Sequence, residues 1–218
     1  MDKIVMDCTK GHPEYQQYRF FLEEDPKALL IVEFVADDIT TARAKSEALI
    51  QDLKAANLGY AFSTVEGNDI QKVWQLRKAG LGLLANIPGD SKAVAVIEDT
   101  AVKLEELPEY IEEFTAMMDR YGQQSVYYAH AGAGELHLRP ILNLKDKEDR
   151  ALFRAIGTDT AKLVKKYGGS LSGEHGDGRV RAEFSPVMVG DKNYELFRAI
   201  KNVFDPNNIF NPGKIVDA

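Results

Sequence analysis

Three of the four histidines in this chain fall in two glycine-punctuated stretches. His130 and His137 flank the stretch Ala131-Gly132-Ala133-Gly134, and His175 follows Glu174 in Ser172-Gly173-Glu174-His175-Gly176. Imidazoles do what aliphatic core residues cannot: they bind transition metals and move protons near neutral pH. A two-residue turn at Ala133-Gly134 sets His130 opposite His137. A turn at Gly132-Ala133 sets it opposite Glu135, with His137 as the diagonal neighbour. Strand side chains alternate with period two, so both registers put the two imidazoles on one face. Opposed Cβ atoms lie about 4.5–5.5 Å apart, near enough for both rings to bind one metal at about 2.0–2.1 Å. A three-residue loop would split them between faces. The plain alternative is a hairpin whose two partly buried histidines satisfy backbone groups.

Glu174 is the candidate third ligand. Two histidines and one carboxylate form a ligand set of catalytic metals and leave a position open for a substrate oxygen. The set alone leaves zinc, iron(II) and manganese open. Neighbouring side chains point different ways, so His175 suits a general base facing the substrate while Glu174 binds metal. Five glycines fall between residues 168 and 178. They lack the GK[ST] ending of a Walker loop and the G-x-G-x-x-G spacing of a dinucleotide loop. Arg77, beside Trp74 on an expected helix, has the planar fork that binds carboxylates bidentately. From the sequence alone, a solvated helix arginine is the simpler reading of it. Asn211, Pro212 and Lys214 read as a turn and a C-terminal cap.

Five strands and five helices are expected to position these groups. Strands are expected over residues 29–35, 60–65, 93–97, 125–130 and 136–142, from β-branched and aromatic runs. Helices are expected over 40–56, 66–86, 104–121, 146–167 and 194–204, from apolar residues at helical spacing. Asn57-Leu58-Gly59 is a helix stop. With one helix treated as an insertion, the order through residue 142 fits a ferredoxin-like β-α-β-β-α-β antiparallel sheet with helices on one face, followed by a helical C-terminal segment. The fold class is α+β.

Composition narrows the partners. The formal charge is −7 without a basic cluster, which argues against nucleic acid. The single cysteine, Cys8, allows no intrachain disulfide and points to a reducing, cytoplasmic setting. The first residues lack a signal-peptide core, and the longest apolar run, Ala-Leu-Leu-Ile-Val-Glu-Phe-Val-Ala, contains Glu33 and is strand-sized, so no membrane span is expected.

The stretches "LRKAGLGLL", "AHAGAGELHLRP", "GGSLSGEHGDGR" and "FDPNNIFNPGKI", in this order, resemble the C-terminal domain of FAD-linked oxidases of the D-lactate dehydrogenase, glycolate oxidase and D-2-hydroxyglutarate dehydrogenase type. The resemblance is nearest to large members that carry an iron–sulfur domain after the flavin part. It implies that a separate domain or subunit binds FAD. It also implies a lead-in over residues 1–28, a substrate- and metal-binding domain over 29–185, and a segment 186–218 that packs toward the flavin domain, with Asn211 and Lys214 on the cofactor side. Matched residue by residue, His130, His137 and Glu174 are ligands of a divalent metal, zinc or manganese. His175 is the base, and Arg77 holds the substrate carboxylate. The implied reaction is oxidation of a D-2-hydroxy acid with hydride transfer to FAD. The chain departs from the commoner "GHxGDGNLH" at Ala129, Ala133 and Glu135, and Glu135 puts an acid where an amide is usual. With no room for a flavin domain and no cysteine cluster, the chain is expected to be part of a longer polypeptide, or a subunit inactive alone. Two other readings stay open: a self-contained His-His-Glu hydrolase or oxygenase, and a non-catalytic docking module.

Overall fold

The structure is a computed structural model that describes the backbone of all 218 residues and every side chain except that of Leu81. The chain divides into two compact units, Met1–Asn86 and Ile87–Ala218.

The first unit is helical among its described residues. It contains α1 (Lys3–Cys8), α2 (Pro13–Gln16), α3 (Ile39–Ala55) and α4 (Asp69–Leu84). Asp38 caps α3 by accepting the Thr41 amide at 2.8 Å. The expected stop follows: Asn57 takes a left-handed φ of 55°, and the amides of Asn57 and Leu58 return to the carbonyls of Lys54 and Leu53. Val5 and Met6 of α1 are buried, as are Val73, Leu76 and Leu84 of α4.

Residues 29–35 and 60–65 are not strands, which corrects the expectation. Their β-branched composition favours a pleated surface only where a partner strand exists. Here Leu30, Val32, Val35 and Tyr60 are exposed, and the backbone near the first segment makes an isolated bridge between Asp2 and Ala28 and a reciprocal pair of bonds between Leu29 and Met1 rather than a ladder. Without these two strands the sheet does not take the ferredoxin-like order.

The second unit holds a four-stranded antiparallel sheet: β1 (Lys92–Ala93), β2 (Ile97–Ala101), β3 (Ser125–His130) and β4 (Glu135–Leu142). Central β4 pairs with β3 along one edge and with β1 and then β2 along the other. The expected single strand over 93–97 is thus broken in two. Val94, Val96 and Ile97 are all buried, which strict alternation in one register does not allow. Lys92 pairs with Leu142 and Ile97 with Leu138, so the chain slips by one residue between the pieces.

Helices α5 (Leu107–Arg120) and α6 (Lys147–Lys166) cover one face. Tyr110, Phe114 and Met118 from α5 and Ile156 and Val164 from α6 pack on Leu136, Leu138 and Leu142. Each such buried side chain is worth about 1.5–3 kcal/mol. The chain closes with α7 (Gly178–Arg181), α8 (Ser185–Val189) and α9 (Asp191–Phe204). Among the described residues no helix is long and apolar enough to cross a membrane.

Candidate metal centre and catalytic site

Alternation along β4 separates core from site. Leu136 and Leu138 belong to the helix-covered core, while Glu135, His137 and Arg139 share the other face. On that face Tyr128 of β3 and Glu98 of β2 both pair with His137, one on either side. His130 pairs with Glu135, so the hairpin adopts the second of the two expected registers, with His137 diagonal to His130. The connection is a 3-10 turn, Ala131–Ala133, closed by Gly134 at φ 71°. Only glycine fits there: a Cβ would stand 2.2 Å from the Val102 carbonyl oxygen.

The second loop reaches the same face. Helix α6 ends as the Gly169 amide returns to the Val164 carbonyl, and Ser170 then pairs with Ala101 at the end of β2. Gly169 permits this approach, since a Cβ would lie 2.3 Å from the Ala101 oxygen. From there the chain carries Glu174 and His175 back over β2. Arg181 braces the loop by donating to the carbonyls of Glu98, Leu171 and Gly176.

Four of the expected site residues therefore meet. Oε1 of Glu174 lies 3.8 Å from His130 Nε2 and 3.6 Å from His137 Nε2. Two ligands on one tetrahedral metal with bonds of about 2.0–2.1 Å are separated by about 3.3–3.5 Å; the two observed separations are a few tenths of an ångström longer, and one ligand atom from each of the three residues lies within 4.8 Å of the others. His137 is 3% exposed. Burial lowers its pKa, helped by His130 and His175 and opposed by Glu98 and Glu174, so the ring is held in the neutral form that ligates metals. His175 stacks on His137 with centroids 5.5 Å apart, and its Nε2 is 3.2 Å from Glu174 Oε1.

Two overlapping triads are comparably compact: Glu98 with His137 and His175, and Asp99 with Glu174 and His175. Their carboxylates are already engaged. Glu98 pairs with Arg139, and Asp99 accepts bonds from the loop itself. Glu174 is the carboxylate with neither commitment, which favours His130, His137 and Glu174 as the ligand set.

Glu135 departs from ordinary acid behaviour. Burial, then Asp99 and Glu174, push its carboxyl up to about 7. Near neutral pH it is substantially protonated, and a protonated carboxyl, like an amide, both donates and accepts hydrogen bonds.

The remaining expected residues lie apart from this cluster in the chain. Arg77 is half-buried in the middle of α4, in the first unit. Asn211 is exposed on the C-terminal tail with φ 48°, and Lys214 is half-buried there. Sequence reasoning missed Glu98, Asp99, Arg139 and Arg181. A signal existed for the first two: adjacent acids within the apolar run Val-Ile-Glu-Asp-Thr-Ala-Val. Acids are rarely buried unless paired.

Sheet, histidine cluster and glycine loop define an α+β domain built around one polar site. Residues 1–215 match the family described as FAD linked oxidases, C-terminal domain, and the chain belongs to that family. A D-2-hydroxyglutarate dehydrogenase of Pseudomonas putida is 40% identical over 98% of this chain, which covers 22% of that protein. The Escherichia coli D-2-hydroxyglutarate dehydrogenase is 37% identical over 88% of the chain and 19% of its own length. A D-lactate dehydrogenase of Archaeoglobus fulgidus is 30% identical over 90% of the chain and 41% of its own length. The chain thus spans about a fifth to two fifths of these relatives.

Proposed function

We propose that this chain is the substrate- and metal-binding part of a flavin-dependent dehydrogenase that oxidises a D-2-hydroxy acid of the lactate, glycolate or 2-hydroxyglutarate class. The observation that carries the proposal is the convergence of His130, His137 and Glu174, with His175 in contact, in a chain of the FAD linked oxidase family. His130, His137 and Glu174 would hold a divalent metal, zinc or manganese, which supplies Lewis acidity toward the substrate hydroxyl. A flavin held by the rest of the enzyme supplies the two-electron acceptor. His175 takes the hydroxyl proton as the carbon-bound hydrogen leaves with its electron pair. Arg77 would clamp the substrate carboxylate.

Partnership with a flavin domain is supported by the C-terminal segment, residues 186–218. Helix α9 exposes Leu196, Ile200, Val203 and Phe204, and the tail exposes Ile209 and Phe210. Apolar groups gathered on one segment mark a contact surface. Asn211 and Lys214 lie on that tail and would face the cofactor.

The substrate role is tested at Arg77 in the flavin-containing enzyme. Lysine keeps the charge but loses the two parallel bonds. A hydrogen bond to a charged group is worth about 1.5–3 kcal/mol, so Arg77→Lys should lower kcat/KM for the best D-2-hydroxy acid at least about tenfold. Unchanged kcat/KM in both Arg77→Lys and Arg77→Ala would return Arg77 to the surface of α4.

A further inference from the structure

We infer that Asp99 is a positioning residue: its carboxylate is the template on which residues 172–175 fold, and through their backbone it places Glu174 and His175. This role rests on the metal-site proposal above. Asp99 lies inside β2 yet belongs to neither face of the sheet. The register of β2 on β4 shifts between Glu98 and Thr100, a bulge with Asp99 at its centre. Its φ is 79°, a conformation uncommon for a residue with a side chain. Bulges re-aim side chains beside functional sites, and strained backbone persists only where the surroundings hold it. Here the bulge turns the carboxylate out of the pleat and into the loop.

Asp99 is fully buried, and four donors close on it. The amides of Gly173 and Glu174 bond Oδ1 at 3.0 and 2.8 Å, and the His175 amide bonds Oδ2 at 2.8 Å. The Ser172 hydroxyl also donates to Oδ2. Three successive amides converging on one anion form a concave anion-binding nest. The Asp99 carbonyl accepts the Gly173 amide as well, at 2.7 Å, and the Arg181 guanidinium stands 3.7 Å from Oδ2. Burial alone would raise the Asp99 carboxyl. The Ser172 hydroxyl, the loop amides and a hydrogen bond with the Glu135 carboxyl outweigh it and hold the group well below the usual carboxylate range.

The need for such a device follows from exposure. The side chains of Glu174 and His175 are 46% and 47% exposed, so packing does not fix them. His137, by contrast, is locked into the sheet. A ligand carboxylate must nevertheless arrive within a few tenths of an ångström of its position. For Glu174 the fixed point is its own amide on Asp99.

The test uses the 218-residue chain, labelled with ¹⁵N and freed of metal, with cobalt(II) as the probe ion. Asp99→Asn keeps the size but turns a donor toward the loop amides. Asp99→Gly suits the left-handed backbone and removes the carboxylate, so it separates backbone strain from loop anchoring. Ser172→Ala removes one of the four bonds and serves if the other variants do not fold. In the wild type the amides of Gly173, Glu174 and His175 should exchange slowly. Both Asp99 variants should speed all three at least tenfold and leave the amides of β3 unchanged. They should also weaken cobalt binding about 10–100-fold, the usual worth of a group that supports a ligand, and alter its visible absorption. Ser172→Ala should move the same readouts less. Unchanged exchange at the three amides, or cobalt affinity within twofold of wild type once the loop has loosened, would overturn the role. A wild type that binds no cobalt would sink the metal site instead, and the exchange measurement would still decide whether Asp99 anchors the loop.

Discussion

The two halves of the candidate site are positioned by opposite means. In the hairpin, the backbone ladder of β3 and β4 places His130 and His137, and buried neighbours hold the His137 ring. In the glycine loop there is no ladder beyond the single bridge of Ser170 to Ala101. Its two chemical residues are held by side chains from elsewhere: Asp99 from a bulge in β2 and Arg181 from α7. Strand pairing fixes a ligand to its register and leaves little freedom. A side-chain clasp leaves the reactive groups exposed to a substrate while the backbone beneath them stays put.

The sharpest separation comes from removing His175, which belongs to the loop but is not among the proposed ligands. In the flavin-containing enzyme, His175→Ala should lower kcat by about 10²–10⁴-fold, the usual worth of a positioned base, while metal content stays at the wild-type level. Near-normal turnover would move the base elsewhere.

Breaking the hairpin should act through structure instead. Gly134→Ala places a Cβ against the Val102 carbonyl at a left-handed φ. It should cost about 1–3 kcal/mol of stability by chemical denaturation and weaken metal binding by disturbing both histidines together. Wild-type stability would mean that the turn tolerates a different path.

Glu135 joins the two regions, since it pairs with His130 in the sheet and lies beside Glu174 of the loop. Its folded pKa is raised above the ordinary carboxyl value to about 7. The folded chain therefore binds more protons than the unfolded chain between these two values, and stability falls as pH rises through that window. In the metal-free protein Glu135→Gln should remove the fall. It should gain about 1–3 kcal/mol over wild type at pH 8 and little at pH 4. Parallel curves of stability against pH for the two proteins would contradict this.

The same contrast explains what the sequence disclosed. The hairpin was legible because its information is local: alternating residues, two glycines, and a register that a two-residue turn limits to two choices. Helices α3, α5, α6 and α9 were legible from apolar periodicity, and the end of α3 from Asn57. Residues 29–35 and 60–65 misled because β propensity describes side chains that suit a sheet, not the presence of a partner. The break between β1 and β2 stayed hidden because consecutive buried valines and isoleucine look like one strand. Glu174 and His175 were found by their types, but what holds them was not. Asp99 is more than seventy residues from the loop it anchors, and a bulge that reverses a side chain leaves no periodic trace.

Metal stoichiometry tests the site most directly. The purified chain is equilibrated with zinc, dialysed, and analysed for metal beside His130→Ala/His137→Ala and Glu174→Gln. The wild type should retain about one zinc per chain, the double variant essentially none, and Glu174→Gln about 10-fold or more weaker binding, as loss of one of three protein ligands requires. Equal metal content in all three proteins would contradict a centre built from His130, His137 and Glu174.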